Sequence, residues 1–289
     1  MMGLADKFGN FNVKQTDRIS QEDKEYLEHY EALYKRALNV YKCVYDIYRN
    51  EFATYLKEDI EGNRYSNVIV GDFDTIKKID ELQNGYVSHI FYYFSNKYNV
   101  TLDSDVFPRS DIDGKYRSCS YEKQPEELVV DMIDWHVVVD KIIDQLGGMG
   151  FQDKAIKEVK DKLKEKCYNS YHNDWNIKLK GKRFTYTAGY CSQSWGNEWN
   201  FGSIEFMRAL LDALSINMFG EKRTLHQLSR LYESYHIRLY EDDFKDGFSC
   251  PSVGVELIKF FKNGRVDIVF QSGDFARNFA REWCGYTLV

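Results

Sequence analysis

Proline occurs only three times in this sequence, and no run of eighteen apolar residues exists anywhere in it. The second absence excludes a membrane-spanning helix, which needs about twenty predominantly apolar residues. The opening segment MMGLADKFGNFNVKQ has no apolar h-region, so no secretory signal is expected. Six cysteines (Cys43, Cys119, Cys167, Cys191, Cys250, Cys284) are scattered, with no C-x-x-C pair among them. In a chain this long that spacing reads as reduced thiols, not as a disulfide framework. Whether Cys250 and Cys284 meet in space stays open. The expected address is the cytoplasm.

Catalytic signatures are missing as well. There is no G-x-x-x-x-G-K-[ST] and no G-x-G-x-x-G between a strand and a helix, so a phosphate cradle is not expected. The six histidines include no H-E-x-x-H and no H-x-x-x-H pair. SDIDGKYRSCSYE has the look of a calcium loop, but aligning Gly114 with the turn glycine puts Arg109 first and Ser120 last, where ligands belong. YCSQSWG is not G-x-S-x-G, and Cys191 has no base encoded beside it. Acidic pairs in DFD (72–74) and EDDFKD (241–246) read as solvated surface. No catalytic, metal or cofactor residue is predicted, and the chain is read as a non-enzyme.

What is abundant is aromatic. Tyr 22, Phe 19 and Trp 5 make 16% of the chain. Tyrosine gives large, rigid, amphipathic contact area, which suits interfaces. The codon bias of a low-GC host gives the same composition. Net charge is −6, too mild for a uniformly basic nucleic-acid binder or an extreme acidic mimic of one.

Patterning predicts an α+β fold in two domains, residues 1–150 and 151–289. The first is mainly helical. Ser20 with Asp23 opens a capping-box-like start, and Tyr26, Leu27, Tyr30, Leu33, Tyr34, Tyr41, Tyr45 and Tyr48 then recur at three- and four-residue spacing. Unbroken from Ser20 to Lys57, that helix would run about 57 Å. Its stripe uses tyrosine where a coiled coil uses Leu or Ile, which favours packing on a partner or another domain. A long core helix with amphipathic rims is the plainer reading. Beyond it lie a strand candidate at Asn67–Val70, a short helix TIKKIDELQ, a break at Asn84-Gly85 and a buried helix YVSHIFYYFSNKY. Residues 101–124 are loop-like, and Pro125 starts a helix of about twenty residues. GGMG at 147–150 is the best hinge in the sequence.

After a charged helix at Gln152–Tyr168 the period changes to two. NIKLKG and RFTYTAGY alternate like antiparallel strands around Gly181. YCSQSWGNEWNFG (190–202) leads into a helix with Ser203 as N-cap, and LHQLSRLYESYH is a further helix. VELIKFF-KNG-RVDIVF is a hairpin turning at Asn263-Gly264, and SGDFARNFAREW closes as a helix. The second domain is therefore an antiparallel sheet with flanking helices. One of Trp195 and Trp199 is expected to pack against the hairpin phenylalanines, the other to face outward.

Between Asp153 and Arg183 stand ten Lys/Arg and five Asp/Glu, with Tyr168, Tyr171 and Trp175 interleaved. That suits nucleic-acid contact through phosphates and stacking, with Lys178, Lys180 and Lys182 as candidates. A lysine-rich helix with acids four residues away is also what a solvated face looks like.

Three segments of the C-terminal part carry a resemblance. They are RFTYTAGYCSQSWGNEWNFGSIEFMRALLDAL, VELIKFFKNGRVDIVF with Phe260, Phe261, Asn263, Gly264 and Phe270, and GDFARNFAREW. Residues 150–289 thereby resemble a domain family of unknown function from bacteriophages and mobile elements, found alone and at the C-terminus of some phage-type adenine methyltransferases. No Asn-Pro-Pro-type methyltransferase motif is present. A helical half joined to this domain resembles the first-described phage inhibitors of the Gabija anti-phage system. That resemblance implies a homo-oligomer that encloses a bacterial defence nuclease complex and brings no catalytic residues. Tyr26, Tyr30, Tyr34, Tyr41, Tyr45, Tyr48, Trp195 and Trp199 are the candidate partner contacts. The alternative is a nucleic-acid-binding or DNA-modification accessory module.

Overall fold

The computed structural model describes residues 18–48, 50, 72–118, 130–194, 196–231 and 237–287. They form an α+β protein, helical in the first half and sheet-containing in the second. The chain divides into two compact units, Met1–Met149 and Gly150–Val289. The division falls inside GGMG, where Gly147 and Gly148 take φ of +60° and +83°. A left-handed backbone is costly for any residue with a Cβ, so glycine ends the helix here.

In the first unit, helix α1 spans Gln21–Ile47. Ser20 caps it, its Oγ accepting from the Asp23 N–H at 3.1 Å while the Ser20 N–H donates to the Asp23 carboxylate at 3.0 Å. Leu27, Tyr34, Leu38 and Tyr45 are its buried apolar and aromatic positions, and Asp23 is buried with them. The part of the expected helix from residue 51 to Lys57, and the strand expected at Asn67–Val70, lie outside the described residues.

Helix α2 runs unbroken from Asp72 to Tyr98, where two helices separated by Asn84-Gly85 were expected. Two facts remove the break. The Asn84 side chain is engaged elsewhere, donating to the Ser110 carbonyl at 3.2 Å and accepting from the Ser110 N–H at 2.9 Å. Buried Ile76, Ile79, Tyr86, Ile90 and Phe94 also continue one apolar face through the glycine.

The supposed loop beyond 101 contains a 3-10 turn at Ser104–Val106 and helix α3 at Ile112–Ser118. α3 starts because Asp80 of α2 accepts from the Ile112 and Asp113 N–H groups at 2.9 and 2.7 Å. That tertiary cap adds to a local one, in which Asp111 accepts from the Gly114 N–H at 3.1 Å. Helix α4, Trp135–Gln145, begins ten residues after Pro125, with Asp134 accepting from the His136 N–H at 2.8 Å. Just upstream, the Asp131 carbonyl is held by Gln83 at 2.7 Å in a non-helical segment.

The second unit opens with helix α5, Phe151–Cys167, then strands β1 (Tyr168–Asn169), β2 (Asp174–Trp175), β3 (Ile177–Lys180) and β4 (Arg183–Tyr186). Next come β5 (Cys191–Gln193), β6 (Trp199–Phe201) and helix α6 (Ile204–Phe219). A 3-10 turn at His226–Leu231 stands where a helix was expected, and residues 232–236 of that helix lie outside the described ones. β7 (Ile237–Leu239), helix α7 (Glu241–Asp246), β8 (Phe248–Cys250), β9 (Val255–Phe260), β10 (Val266–Phe270) and helix α8 (Gly273–Cys284) complete it.

The main sheet is antiparallel in the order β3-β4-β10-β9-β8, and a smaller one runs β5-β6-β7. Register aligns Ile177, Tyr186, Val266 and Phe260 in one row, and Leu179, Phe184, Ile268 and Ile258 in the next. Because side chains alternate across a strand, these rows share one face. That face meets the helices, with Phe206 of α6 stacked on Tyr186 at 3.7 Å and Phe279 of α8 against Phe270 at 5.4 Å. The β9–β10 turn closes with the Phe261 N–H donating to the Arg265 carbonyl at 2.9 Å. Gly264 alone takes the left-handed conformation, at φ +83°.

Candidate interaction surfaces

The tyrosine face of α1 predicted to meet a partner meets α2 of the same unit instead. Tyr26 stacks on Tyr93 with centroids 4.0 Å apart, Tyr30 on His89 at 4.2 Å and Tyr34 on Tyr86 at 4.1 Å. Tyr45 is buried beside Ile76. Tyr41 and Tyr48 are half-buried. The physical reason lies in α2, which carries Tyr86, His89 and Tyr93 at the same three- and four-residue spacing. Two such stripes on antiparallel helices stack ring on ring, each pair adding about 0.5–1.5 kcal/mol beyond its buried area. Reading YVSHIFYYF for that spacing, and not only for hydrophobicity, is the signal that would have found the pairing.

The stack ends in a polar clasp. Asp23 is fully buried. Its carboxylate accepts from Ser20 Oγ at 2.6 Å, Tyr98 Oη at 2.5 Å, Tyr93 Oη at 2.9 Å and Lys97 Nζ at 2.7 Å. Burial alone would raise its pKa, but these four donors, Lys97 first, hold it at about 2. The same environment pushes Tyr98 up to about 12, through burial and then its bond to Asp23. Burial likewise raises Tyr86 and Tyr30.

With the tyrosines turned inward, a different stripe of α1 faces outward. Leu33, Val40 and Ile47 are 46%, 61% and 47% exposed. They are spaced by sevens and lie roughly 140° around the helix from the buried face, at 100° per residue. Arg36 and Cys43, both exposed, lie between them. An apolar residue every seven positions supplies half of the a/d pattern of a helix seam, with Arg36 and Cys43 at the intervening positions. The sequence reading passed over it because tyrosine dominates the same helix.

YCSQSWGNEWNFG is a hairpin. Cys191 pairs with Phe201 and Gln193 with Trp199, and the Ser194 N–H donates to the Glu198 carbonyl at 2.8 Å. Phe201 is buried, its ring edge-on to Phe260 at 5.1 Å. Trp199 is half-buried, edge-on to Phe244 at 5.8 Å with Lys262 Nζ 4.6 Å over its ring. Trp195 lies outside the described residues. Burial raises the Cys191 thiol pKa, which keeps it protonated and poorly nucleophilic.

Cys250 and Cys284 are both buried free thiols. The partner of Cys284 is Cys167, whose hydrogen bond, reinforced by burial, raises the Cys284 pKa. Among the described residues no group of three or more His, Cys, Asp or Glu is placed to hold a metal ion. No helix among them is long and apolar enough to cross a membrane.

The lysine-rich stretch splits into two populations. Four of the six in α5 are engaged: Lys154 with Glu158 at 3.9 Å, Lys157 with Asp161 at 2.5 Å, Lys160 with Glu282 at 3.0 Å and Lys166 with Glu205 at 2.6 Å. Lys182 likewise meets Glu256 at 2.5 Å. Lys178 and Lys180 are exposed on β3 and make no ion pair among the described residues. They point away from the helices, opposite the inward Ile177 and Leu179.

No family model, curated protein or solved structure matches the chain.

Proposed function

We propose that this protein is a phage-encoded, non-enzymatic inhibitor of a bacterial anti-phage nuclease complex of the Gabija type. In this reading it self-associates, encloses the complex, and blocks DNA binding and cleavage. The observation that carries the reading is where the three family-like segments go. They are separated in the chain but close on one core: Phe201 of the first meets Phe260 of the second at 5.1 Å. Phe270 of the second meets Phe279 of the third at 5.4 Å. A resemblance that coincides with a whole folding unit is stronger support than three scattered matches. The outward stripe of Leu33, Val40 and Ile47 supplies an apolar face of the kind self-association uses.

The test is size-exclusion chromatography with light scattering on the protein alone and mixed with a purified Gabija complex, with DNA cleavage assayed on the same fractions. A larger co-eluting assembly without cleavage is expected. Separate elution with intact cleavage would end this reading.

A further inference from the structure

We propose that the open face of the five-stranded sheet binds a nucleic-acid backbone, through Lys178, Lys180, Arg183, Lys259 and Arg265. This goes beyond the inhibitor reading and does not depend on it. The register makes the patch. Opposite the core rows, Lys178, Thr185, Asp267 and Lys259 form one cross-strand row, and Lys180, Arg183, Val269 and Leu257 the next. Arg265, two residues before Asp267 on the same face, adds a further row with Phe261 at the β9–β10 turn. With strands about 4.8 Å apart, Lys178 and Lys259 bracket a patch about 14 Å wide.

The one acid inside this patch does not cancel it. Asp267 is 6% exposed, accepts from Thr185 Oγ1 at 2.9 Å, and lies 3.4 Å from Arg265 Nε and 3.8 Å from Arg183 Nη1. It steadies two guanidinium groups mid-sheet and leaves the patch strongly cationic. The Arg265 guanidinium also sits 3.7 Å over the Phe261 ring. A planar fork ordered in this way loses little freedom when it grips a phosphate.

Two plainer explanations fail on particulars. Lysines on an edge strand keep sheets from pairing edge to edge, and β3 is an edge strand. That accounts for Lys178 and Lys180, but Arg183 and Lys259 sit on interior strands, Lys259 half-buried with its Nζ donating to the Lys245 carbonyl at 3.1 Å. A solvated lysine face neutralised by neighbouring acids describes α5 and the Lys182–Glu256 pair. On the open face of the sheet Arg183 and Arg265 share the single carboxylate of Asp267, and Lys178 and Lys180 make no ion pair among the described residues. Charge is also divided between the units. Residues 150–289 hold 21 Lys/Arg against 18 Asp/Glu, and residues 1–149 hold 18 against 27. An acidic protein surface is the less fitting occupant. Protein interfaces centre on an apolar, lysine-poor core, whereas the apolar residues of this patch are half-buried Val269 and Leu257 and the Phe261 ring already covered by Arg265.

The test is fluorescence anisotropy of the full chain with labelled single- and double-stranded DNA of about thirty nucleotides, titrated between about 50 and 200 mM salt. Lys178→Glu/Lys180→Glu is expected to weaken binding on the order of tenfold or more and to flatten the log–log salt slope by about 2. Lys259→Glu, on an interior strand, is expected to weaken it too, and Lys157→Glu on α5 to leave it unchanged. Circular dichroism melts establish that each variant is folded. No binding by the wild type at the lowest salt, or equal affinity and slope in the double variant, overturns the proposal. So does a double variant that loses a protein partner while neither form binds DNA, since that assigns the face to an acidic protein surface.

Discussion

The backbones of Gly189 and Gly264 run so close that a Cβ on either would overlap the carbonyl oxygen of the other. Gly189 lies between β4 and β5, and Gly264 closes the β9–β10 turn, so this contact ties the small sheet to the large one. Gly264 is required twice over, because its φ of +83° is strained for any L side chain. Gly264→Ala is expected to lower stability by about 2–4 kcal/mol, combining backbone strain with the displaced contact. Urea unfolding followed by tryptophan fluorescence reads this, since Trp175, Trp199 and Trp283 all lie in that unit. A variant as stable as wild type would show that the two backbones separate freely. Gly85 is the contrast: space around it is open inside continuous α2. Gly85→Ala is expected to add about 0.5–1 kcal/mol by helical circular dichroism.

Asp23 sets an acid limit on the first unit. Its folded pKa of about 2 lies below the unfolded value of about 3.9. The unfolded chain therefore takes up the proton first as pH falls. The stabilisation is fully present above about pH 5, and it disappears as pH drops through the folded pKa. Its size at neutral pH is about 2–3 kcal/mol. Asp23→Asn is expected to lose this amount at pH 7 and to flatten the stability profile between about pH 4 and 2. Equal acid profiles for variant and wild type would mean that the Lys97 clasp contributes nothing.

What could be read from the residues was whatever local periodicity encodes. The capped start at Ser20, the period-two strands around Gly181, the β9–β10 hairpin and the closing helix needed no distant partner to be specified. What failed was set from far away. Asn84-Gly85 looks like a break until Ser110 takes the asparagine amide, and the local Asp111 cap of α3 is completed by Asp80, about thirty residues upstream. The tyrosine stripe of α1 was legible as a stripe, but its occupant was not. Only the matching spacing of Tyr86, His89 and Tyr93 decides that the rings meet each other. On the sheet, Lys178 and Lys180 were visible as charge, whereas Lys259 and Arg265 join them only through strand register.

Tyr86 is 2% exposed, and its hydroxyl has no hydrogen-bond partner among the described residues. A buried hydroxyl without a partner carries its full desolvation cost. Tyr86→Phe keeps the ring stacked on Tyr34 and removes that cost. The expected result is unchanged stability or a gain of about 1 kcal/mol, measured by denaturant unfolding with far-UV circular dichroism. A loss larger than about 1 kcal/mol would reveal a hydrogen bond to a segment beyond the described residues.

The outward stripe of α1 and its inward tyrosines make opposite predictions. Tyr34 is buried and stacked, so Tyr34→Ala is expected to cost about 3–5 kcal/mol, the range for emptying an aromatic core position. Any loss of inhibition in that variant would reflect unfolding and would say nothing about contact with a partner. Leu33 and Val40 are exposed, and replacing them changes little inside the unit. Leu33→Glu/Val40→Glu is therefore expected to leave stability within about 0.5 kcal/mol of wild type per site. If the stripe is the seam of self-association, light scattering will show a lower mass for this double variant, and inhibition of the nuclease complex will fall with it. An unchanged mass together with full inhibition removes α1 as an interface. A reduced mass with inhibition intact keeps the seam but separates assembly from function.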